Sequence, residues 1–395
     1  MEFVDLDIVT LTRCLYITCG VVWILSILRC LAYRHLANIV EKSRMQSCPD
    51  DELPAFTVII TSHNQSDCLK RHLPLIITQI YPNFEVLVVD MNSTDDSEKV
   101  LEQLEAEYPN LRHTFTPSTS RDISTQRLAI TLGIKGASNP WIVLTQADCC
   151  PISHLWLRRL GESIKGHRSA EIALGYTRYK KAKGYTEQKM YFYRLWQQMK
   201  TLKYTPKHGI YRCDGTNMAY KKELFLSHQG FASHSNLLMG ATDIMVNQQS
   251  TKDNSVVCVH PEAIVEQQMP GQKHWVQDRL YFQESRRHFK NTWFYRMRSA
   301  ASIILHALLM LTLIASITVA ILNEEYVIAG VATSLWVIHT IMQGLSFNTT
   351  AKALNDQGYS HLRIGWFIHL LPFWHLRIWL QYTFGNKQKY RKKYI

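Results

Sequence analysis

Between residues 54 and 151, short apolar runs rich in β-branched side chains alternate with stretches that open on capping residues and carry helical apolar spacing. No other feature constrains the fold so tightly. Strand-helix-strand alternation at this spacing predicts a parallel sheet covered by helices on both faces, an α/β architecture. Strands are expected over residues 56–61, 84–90, 113–116 and 141–145. Helices are expected from the 62–67 turn through Gln79, from the 92–97 turn to about Glu107, and over 123–137. Such strands are buried on both faces, and ligands sit at their carboxyl ends. The fourth run, Trp141-Ile142-Val143-Leu144-Thr145-Gln146-Ala147-Asp148-Cys149-Cys150-Pro151, delivers Asp148 to that edge, where a metal or a nucleotide phosphate is held. A strand-end aspartate also serves as a turn or helix cap, so its weight comes from what surrounds it.

Beyond Pro151 the pattern predicts a helix over 152–164, a strand over 172–179 and a helix over 185–204. The last is crowded with rings (Tyr185, Tyr191, Phe192, Tyr193, Trp196, Tyr204), suited to core packing, to sugar stacking or to a membrane-surface face. The nine cysteines form no CxxC pair and are scattered, which points to free thiols in a reducing compartment and away from a disulfide framework or a zinc site.

Three blocks are specific when taken together. They are Thr57-Val58-Ile59-Ile60-Thr61-Ser62-His63-Asn64, the run from Gln79 through Tyr81-Pro82-Asn83 to Asp90, and Ser93-Thr94-Asp95-Asp96. In order and spacing they resemble the opening of a family 2 glycosyltransferase, and the resemblance extends over roughly residues 54–290. It implies a GT-A (Rossmann-like) nucleotide-sugar-binding domain with the donor on the first half of the sheet. Asp148 then matches the last acid of the family's DxD motif and implies a divalent cation, Mg²⁺ or Mn²⁺, bridging the diphosphate. Two positions depart from the pattern. Gln146 stands where the first acid would be, and Met91 follows Asp90 where the family has an acidic pair. By the same resemblance Ser62, Asn64, Asp90, Arg127 and Gln146 belong to the donor side. Asp90 also reads as a helix cap and Arg127 as a solvated helix face.

The segment from Arg212 to Tyr220 resembles the family's GxNxAxR-type turn, placing Gly215 and Asn217 on the acceptor side, with Trp275 following them. Asp243, in Gly240-Ala241-Thr242-Asp243-Ile244, falls where the family carries its catalytic base. The chemical need is for a carboxylate that takes the proton of the attacking hydroxyl, although an aspartate there also suits a helix N-terminus. Gln283 and Arg286 are spaced like the QxxRW motif, with Arg287 in place of tryptophan, and Gln277 with Arg279 is a rival register. Arginine forks suit a departing diphosphate.

Residues 14–28, 300–322 and 326–345 are apolar and near the length of a membrane span. The first has no small-residue cleavage site after it and reads as an anchor. Arg29, Arg34, Lys42 and Arg44 follow it, Arg296, Arg298 and Lys352 flank the other two, and Glu324 and Glu325 lie between them. By the positive-inside rule the N-terminus is outside and the catalytic domain cytoplasmic. Residues 362–382 mix Trp366, Trp374 and Trp379 with basic residues and Pro372, the pattern of an interfacial amphipathic helix before the basic tail. The expected organisation is an anchor over 1–45, a GT-A catalytic domain over 46–295, and two spans with an interfacial helix over 296–395. A bacterial inner membrane is the expected location.

The net charge of +12 follows the membrane flanks, which favours a membrane over nucleic acid as partner. The expected activity is inverting, metal-dependent transfer of a sugar from a nucleotide-sugar donor to a saccharide or lipid-linked acceptor. A processive polysaccharide synthase and an inactive nucleotide-sugar-binding scaffold are the alternatives.

Overall fold

The computed structural model describes residues 8–31, 36, 38–41, 47–117, 124–180, 184–228, 230–231, 237, 241–290, 292–356 and 359–386. Outside them lie Arg34, Lys42 and Arg44, the turn at 118–122, Gly240, and Lys387, Lys389 and residues 391–393 of the basic tail. The chain divides into two compact units, one of residues 1–38 with 291–377 and one of residues 39–290 with 378–395.

The first unit is helical and begins with α1 (Ile8–Leu31). The larger unit follows, in the order β1 (Phe56–Ser62), α2 (Ser66–Ile77), β2 (Phe84–Asp90), α3 (Ser97–Glu107), β3 (Leu111–Phe115), α4 (Thr125–Gly136), β4 (Trp141–Gln146) and β5 (Cys149–Pro151). Then come α5 (Trp156–Lys165), β6 (Ile172–Gly175), β7 (Thr177–Tyr179), α6 (Tyr185–His208), β8 (Met218–Lys221), α7 (Lys222–Ser227), α8 (Ala241–Gln249), β9 (Ser255–Cys258), β10 (Val265–Gln267) and α9 (Gln272–Ser285). The helical unit resumes with α10 (Thr292–Leu322), α11 (Tyr326–Ala353) and α12 (His361–Phe384), of which the residues from 378 on are counted with the larger unit.

The main sheet has the order β3-β2-β1-β4-β8-β6-β9. Its first four strands are parallel, as the alternation requires, and β8 runs antiparallel between β4 and β6. Strand β1 is buried along its whole length, because helices pack on both faces of a crossover-built sheet. Val58, Ile60, Val86, Val88 and Val143 meet Leu69, Leu73 and Leu101 in one core.

Two expectations are corrected. The single strand expected over 172–179 is two strands, since β6 belongs to the main sheet and β7 to a small sheet of order β5-β10-β7. The break at Tyr176 is fixed by Asn217, whose side-chain amide donates to the Tyr176 carbonyl at 3.0 Å. The helix expected from residue 152 begins at Trp156, because the Ile152 N–H bonds the Ile264 carbonyl, extending the strand pairing of β5.

In the helical unit, residues 10–28, 295–322 and 326–353 are long and apolar enough to cross a membrane. Cys19 and Val22 of α1 pack on Leu309 and Leu313 of α10, and the Trp23 indole N–H donates to the Leu335 carbonyl of α11 at 2.8 Å. Within the same unit Gly365 of α12 closes directly on Thr340, and His369 bonds Thr340 Oγ1 at 3.0 Å and His306 at 3.1 Å.

Candidate active site

The carboxyl ends of β1, β2 and β4 open onto a cleft of about 450 Å³. On this side Thr61, His63, Met91, Gln146 and Asp148 line it, with Gln126 and Ile130 from α4. The turn that carries Asp148 is held from three directions. The Ala147 N–H donates to the Thr61 carbonyl, His72 of α2 bonds the Ala147 carbonyl at 2.9 Å, and Asp148 accepts from Gln267 Nε2 at 3.0 Å through Oδ2. Gln267 ends β10, so the small sheet fixes this carboxylate. Cys149 Sγ lies 3.4 Å from the other oxygen. Burial raises the Asp148 pKa, while the bonds from Gln267 and Cys149 and the charge of Arg194 oppose the rise.

The opposite wall comes from α6, the 210–217 segment, α8 and α9. Arg194 of α6 is buried and pairs with Asp214, whose other oxygen accepts from Thr216 Oγ1 at 2.8 Å. Burial by itself would raise the Asp214 pKa, but Arg194 and Arg212 outweigh it and hold the carboxyl below its ordinary value. Gly215 has φ +70°, a left-handed conformation that glycine adopts at least cost. It sets the chain against Thr242, so that the Cys213 N–H reaches Oδ1 of Asp243 at 2.6 Å.

Asp243 sits in the first turn of α8, lines the cleft and is 8% exposed. Desolvation pushes its pKa up to about 7, against the pull of Arg212 and with the repulsion of Asp214. A carboxyl poised there can both hold and release a proton near neutrality.

The cleft therefore brings together Asp243, Asp148 and Gln146. The other residues singled out in the sequence stand behind it or beside it. Ser62 is buried at the end of β1. Asn64, at φ +50°, accepts from the Thr94 N–H at 2.7 Å and ties the first two strand-end loops together. Asp90 accepts from the Ser93 N–H and hydroxyl and so caps its turn. Arg127 is buried on α4.

Asn217 is fully engaged by protein. It accepts from Trp156 Nε1 at 3.0 Å and donates to the carbonyls of Tyr176 and Ala263. Trp275 is buried edge-on against Tyr193. Gln283 is buried, Arg286 caps the end of α9, and Arg287 donates to the Tyr382 hydroxyl at 3.3 Å. The face of α9 turned to the cleft instead carries Asp278, Arg279, Tyr281, Phe282 and Ser285; of the rival pair only Arg279 lines it, while Gln277 donates to the Tyr281 hydroxyl at 2.9 Å. Arg194 and Gln267 carried no motif signal, and Arg212, although it opens the GxNxAxR-type segment, carried none for a role of its own; tertiary packing brings each to the cleft.

A metal ion is compatible with this donor set only if a ligand completes it. Among the described residues no group of three histidine, cysteine or acidic side chains is placed to hold one. One carboxylate plus phosphate oxygens and water is how Mg²⁺-type ions are commonly bound, and Asp148 supplies that carboxylate.

Residues 57–228 match Glycosyl transferase family 2. This domain belongs to that family. The family 2 domain has a curated relative, glycosyltransferase AglE of Haloferax volcanii, which is 28% identical over 116 residues. That match covers 29% of this chain and spans only 36% of the relative's length. Among solved structures, mannosyltransferase PcManGT from Pyrobaculum calidifontis, in complex with GDP-Man and Mn²⁺, is similar at a TM-score of 0.52 and 17% identity. The similarity covers 94% of this chain and 99% of that one and establishes a shared fold. The strand order and the carboxyl-edge cleft are thus those of the GT-A architecture.

Proposed function

We propose that this chain is a membrane-anchored glycosyltransferase that moves a sugar from a nucleotide-sugar donor to an acceptor hydroxyl with inversion. The observation that carries the reading is Asp243, a buried carboxyl with a pKa raised to about 7, in the same cleft as Asp148. Oδ1 of Asp243 is fixed by the Cys213 N–H, and the carboxylate takes the proton of the acceptor hydroxyl. The hydroxyl oxygen forms the new bond to the anomeric carbon, the bond to the diphosphate oxygen breaks, and the electron pair leaves with the nucleoside diphosphate. Asp148 and Gln146 lie at the donor edge of the sheet, and Gln267 keeps Asp148 turned toward the cleft. A divalent cation held by Asp148 and the diphosphate, as Mn²⁺ accompanies GDP-Man in PcManGT, would neutralise the leaving charge.

The acceptor is a saccharide or a lipid-linked saccharide, a reading supported by the three apolar helices. The helices anchor the protein with its N-terminus outside and the catalytic unit in the cytoplasm of a bacterium, supported by Arg296, Arg298 and Lys352 flanking α10 and α11 and by Glu324 and Glu325 between them. The test is a panel of nucleotide sugars incubated with the purified full-length protein, in Mn²⁺ and in chelator. One or more should release nucleoside diphosphate in Mn²⁺ only, and a panel in which none is bound or consumed would sink the proposal.

A further inference from the structure

The wall of the cleft opposite Asp148 carries three arginines that are not partnered alike. Arg194 is neutralised by Asp214. Arg279 is 4% exposed and held between two rings, its guanidinium carbon 4.3 Å from the centroid of Tyr193 and 4.9 Å from that of Trp275. One terminal nitrogen donates to Gln197, while the buried Nε donates to nothing among the described residues. Arg212 lies 3.9 Å over the Phe282 ring, and its buried Nη1 likewise has no acceptor among the described residues. Neither guanidinium has a carboxylate within ion-pair distance among those residues. Asp278, the nearest acid along α9, pairs with His274 at 3.8 Å.

A buried cation without an anion is costly, and rings stacked on a guanidinium satisfy its face but not its N–H edge. Buried Arg279 and half-buried Arg212 line one cleft, and their unsatisfied buried N–H groups are explained when a ligand brings the acceptor oxygens that they lack. Planar forks of this kind match a phosphate, which offers several oxygens at once.

The chain itself places this pair beside Asp243. Arg212 directly precedes Cys213, whose N–H holds Oδ1 of Asp243 at 2.6 Å. Its guanidinium lies over Phe282, about one turn of α9 from Arg279. The pair therefore sits with the proposed base, where the incoming hydroxyl must lie.

We propose that Arg212 and Arg279 form a phosphate-binding subsite for the acceptor, so that the molecule receiving the sugar carries a phosphate group close to its reacting hydroxyl. This rests on the glycosyl transfer proposed above and adds a substrate class to it. A neutral oligosaccharide would leave both guanidinium groups unmatched in the closed complex.

Isothermal titration of the full-length protein in detergent tests it, with glucose 1-phosphate, galactose 1-phosphate and mannose 1-phosphate as probes, the neutral hexoses as controls, and GDP and UDP with Mn²⁺ as donor-side probes. At least one sugar phosphate should bind about tenfold or more tightly than its neutral sugar, the scale of a charged hydrogen bond. Arg212→Gln and Arg279→Gln should each lose that margin while nucleotide affinity changes by less than about twofold. Arg212→Lys, which keeps the charge, should retain part of it. Should Arg279→Gln fail to fold, Arg212→Gln at its half-buried position carries the test alone. Loss of nucleotide affinity in step with sugar-phosphate affinity would assign the subsite to the donor's diphosphate and overturn the proposal, as would equal binding of phosphorylated and neutral sugars. Failure of GDP and UDP alike to bind the unmodified protein would instead count against the glycosyltransferase reading itself.

Discussion

Asp243 accepts the Cys213 N–H through Oδ1 at 2.6 Å, while its second oxygen has no protein partner among the described residues. The backbone thus fixes the orientation of the carboxyl and leaves its second oxygen open, as the proposed role of general base requires. Asp243→Asn keeps the shape and the bond to Cys213 but cannot take a proton. Its kcat should fall by about 10²–10⁴-fold, the usual loss for a general base. Nucleotide affinity, measured by titration, should change little. Near-normal turnover would remove Asp243 from the chemistry and leave it a helix N-terminal residue, with Asp214 the other carboxyl lining this wall of the cleft.

The raised pKa gives the same residue a signature in pH. Turnover by the wild-type protein should climb through an acid limb with a midpoint near 7, where Asp243 becomes ionised. A rate that is flat from pH 5.5 to 8 would contradict this.

Stability should move the opposite way. Asp243 titrates near 3.8 when unfolded and at about 7 when folded, so between those values the folded state holds the extra proton. Its contribution to stability is full below about 4, declines as the pH rises to about 7 and stays low above that. Asp243→Asn lacks this dependence and should melt higher than wild type at pH 8, by an amount on the order of 1–4 kcal/mol, with the difference vanishing near pH 4. Thermal melts at the two pH values check the sign.

Asp148→Ala should abolish the gain in nucleotide affinity that Mn²⁺ confers while leaving the fold intact. The observable is the difference between titrations in Mn²⁺ and in chelator. If Mn²⁺ strengthens nucleotide binding equally in both proteins, Asp148 is not the cation's carboxylate.

Asn217→Ala should act on stability before it acts on chemistry. It strands the Trp156 indole N–H and the Ala263 carbonyl in the interior and removes one of the two bonds to the Tyr176 carbonyl, which keeps the Val265 N–H. A loss of about 2 kcal/mol or more follows from two buried groups left unpaired. A raised acceptor KM at unchanged melting temperature would instead place Asn217 in contact with the acceptor.

The parallel half of the sheet was legible in the sequence because each of its strands is a contiguous apolar run with a polar end, and Asp148 followed from where β4 stops. Asp243 was legible only through the family resemblance. Of the arginine wall only Arg279 was, through the rival motif register; Arg194 and Arg212 lie far from it in sequence and meet it only through tertiary packing. The register of α9 shows the limit of motif spacing. Gln283 and Arg286 have the motif's separation, but the helix turns the face of Asp278 and Phe282 to the cleft instead. Asn217 shows a different limit, because an amide suited to binding a hydroxyl is equally suited to closing a gap between two strands.

Strand β10 lies between β5 and β7 and carries Gln267 to Asp148. A shortened protein ending at residue 228, where the family match stops, would keep the parallel strands and Asp148 but lose Gln267, Asp243 and the partner strand of β6. The bared edge of β6 would then offer its unpaired N–H and carbonyl groups to any neighbouring chain, a template for aggregation. The smallest fragment of the catalytic unit worth expressing therefore runs past α9, about sixty residues beyond the family boundary, a length set by the last sheet strands and by the helix that walls the cleft behind them.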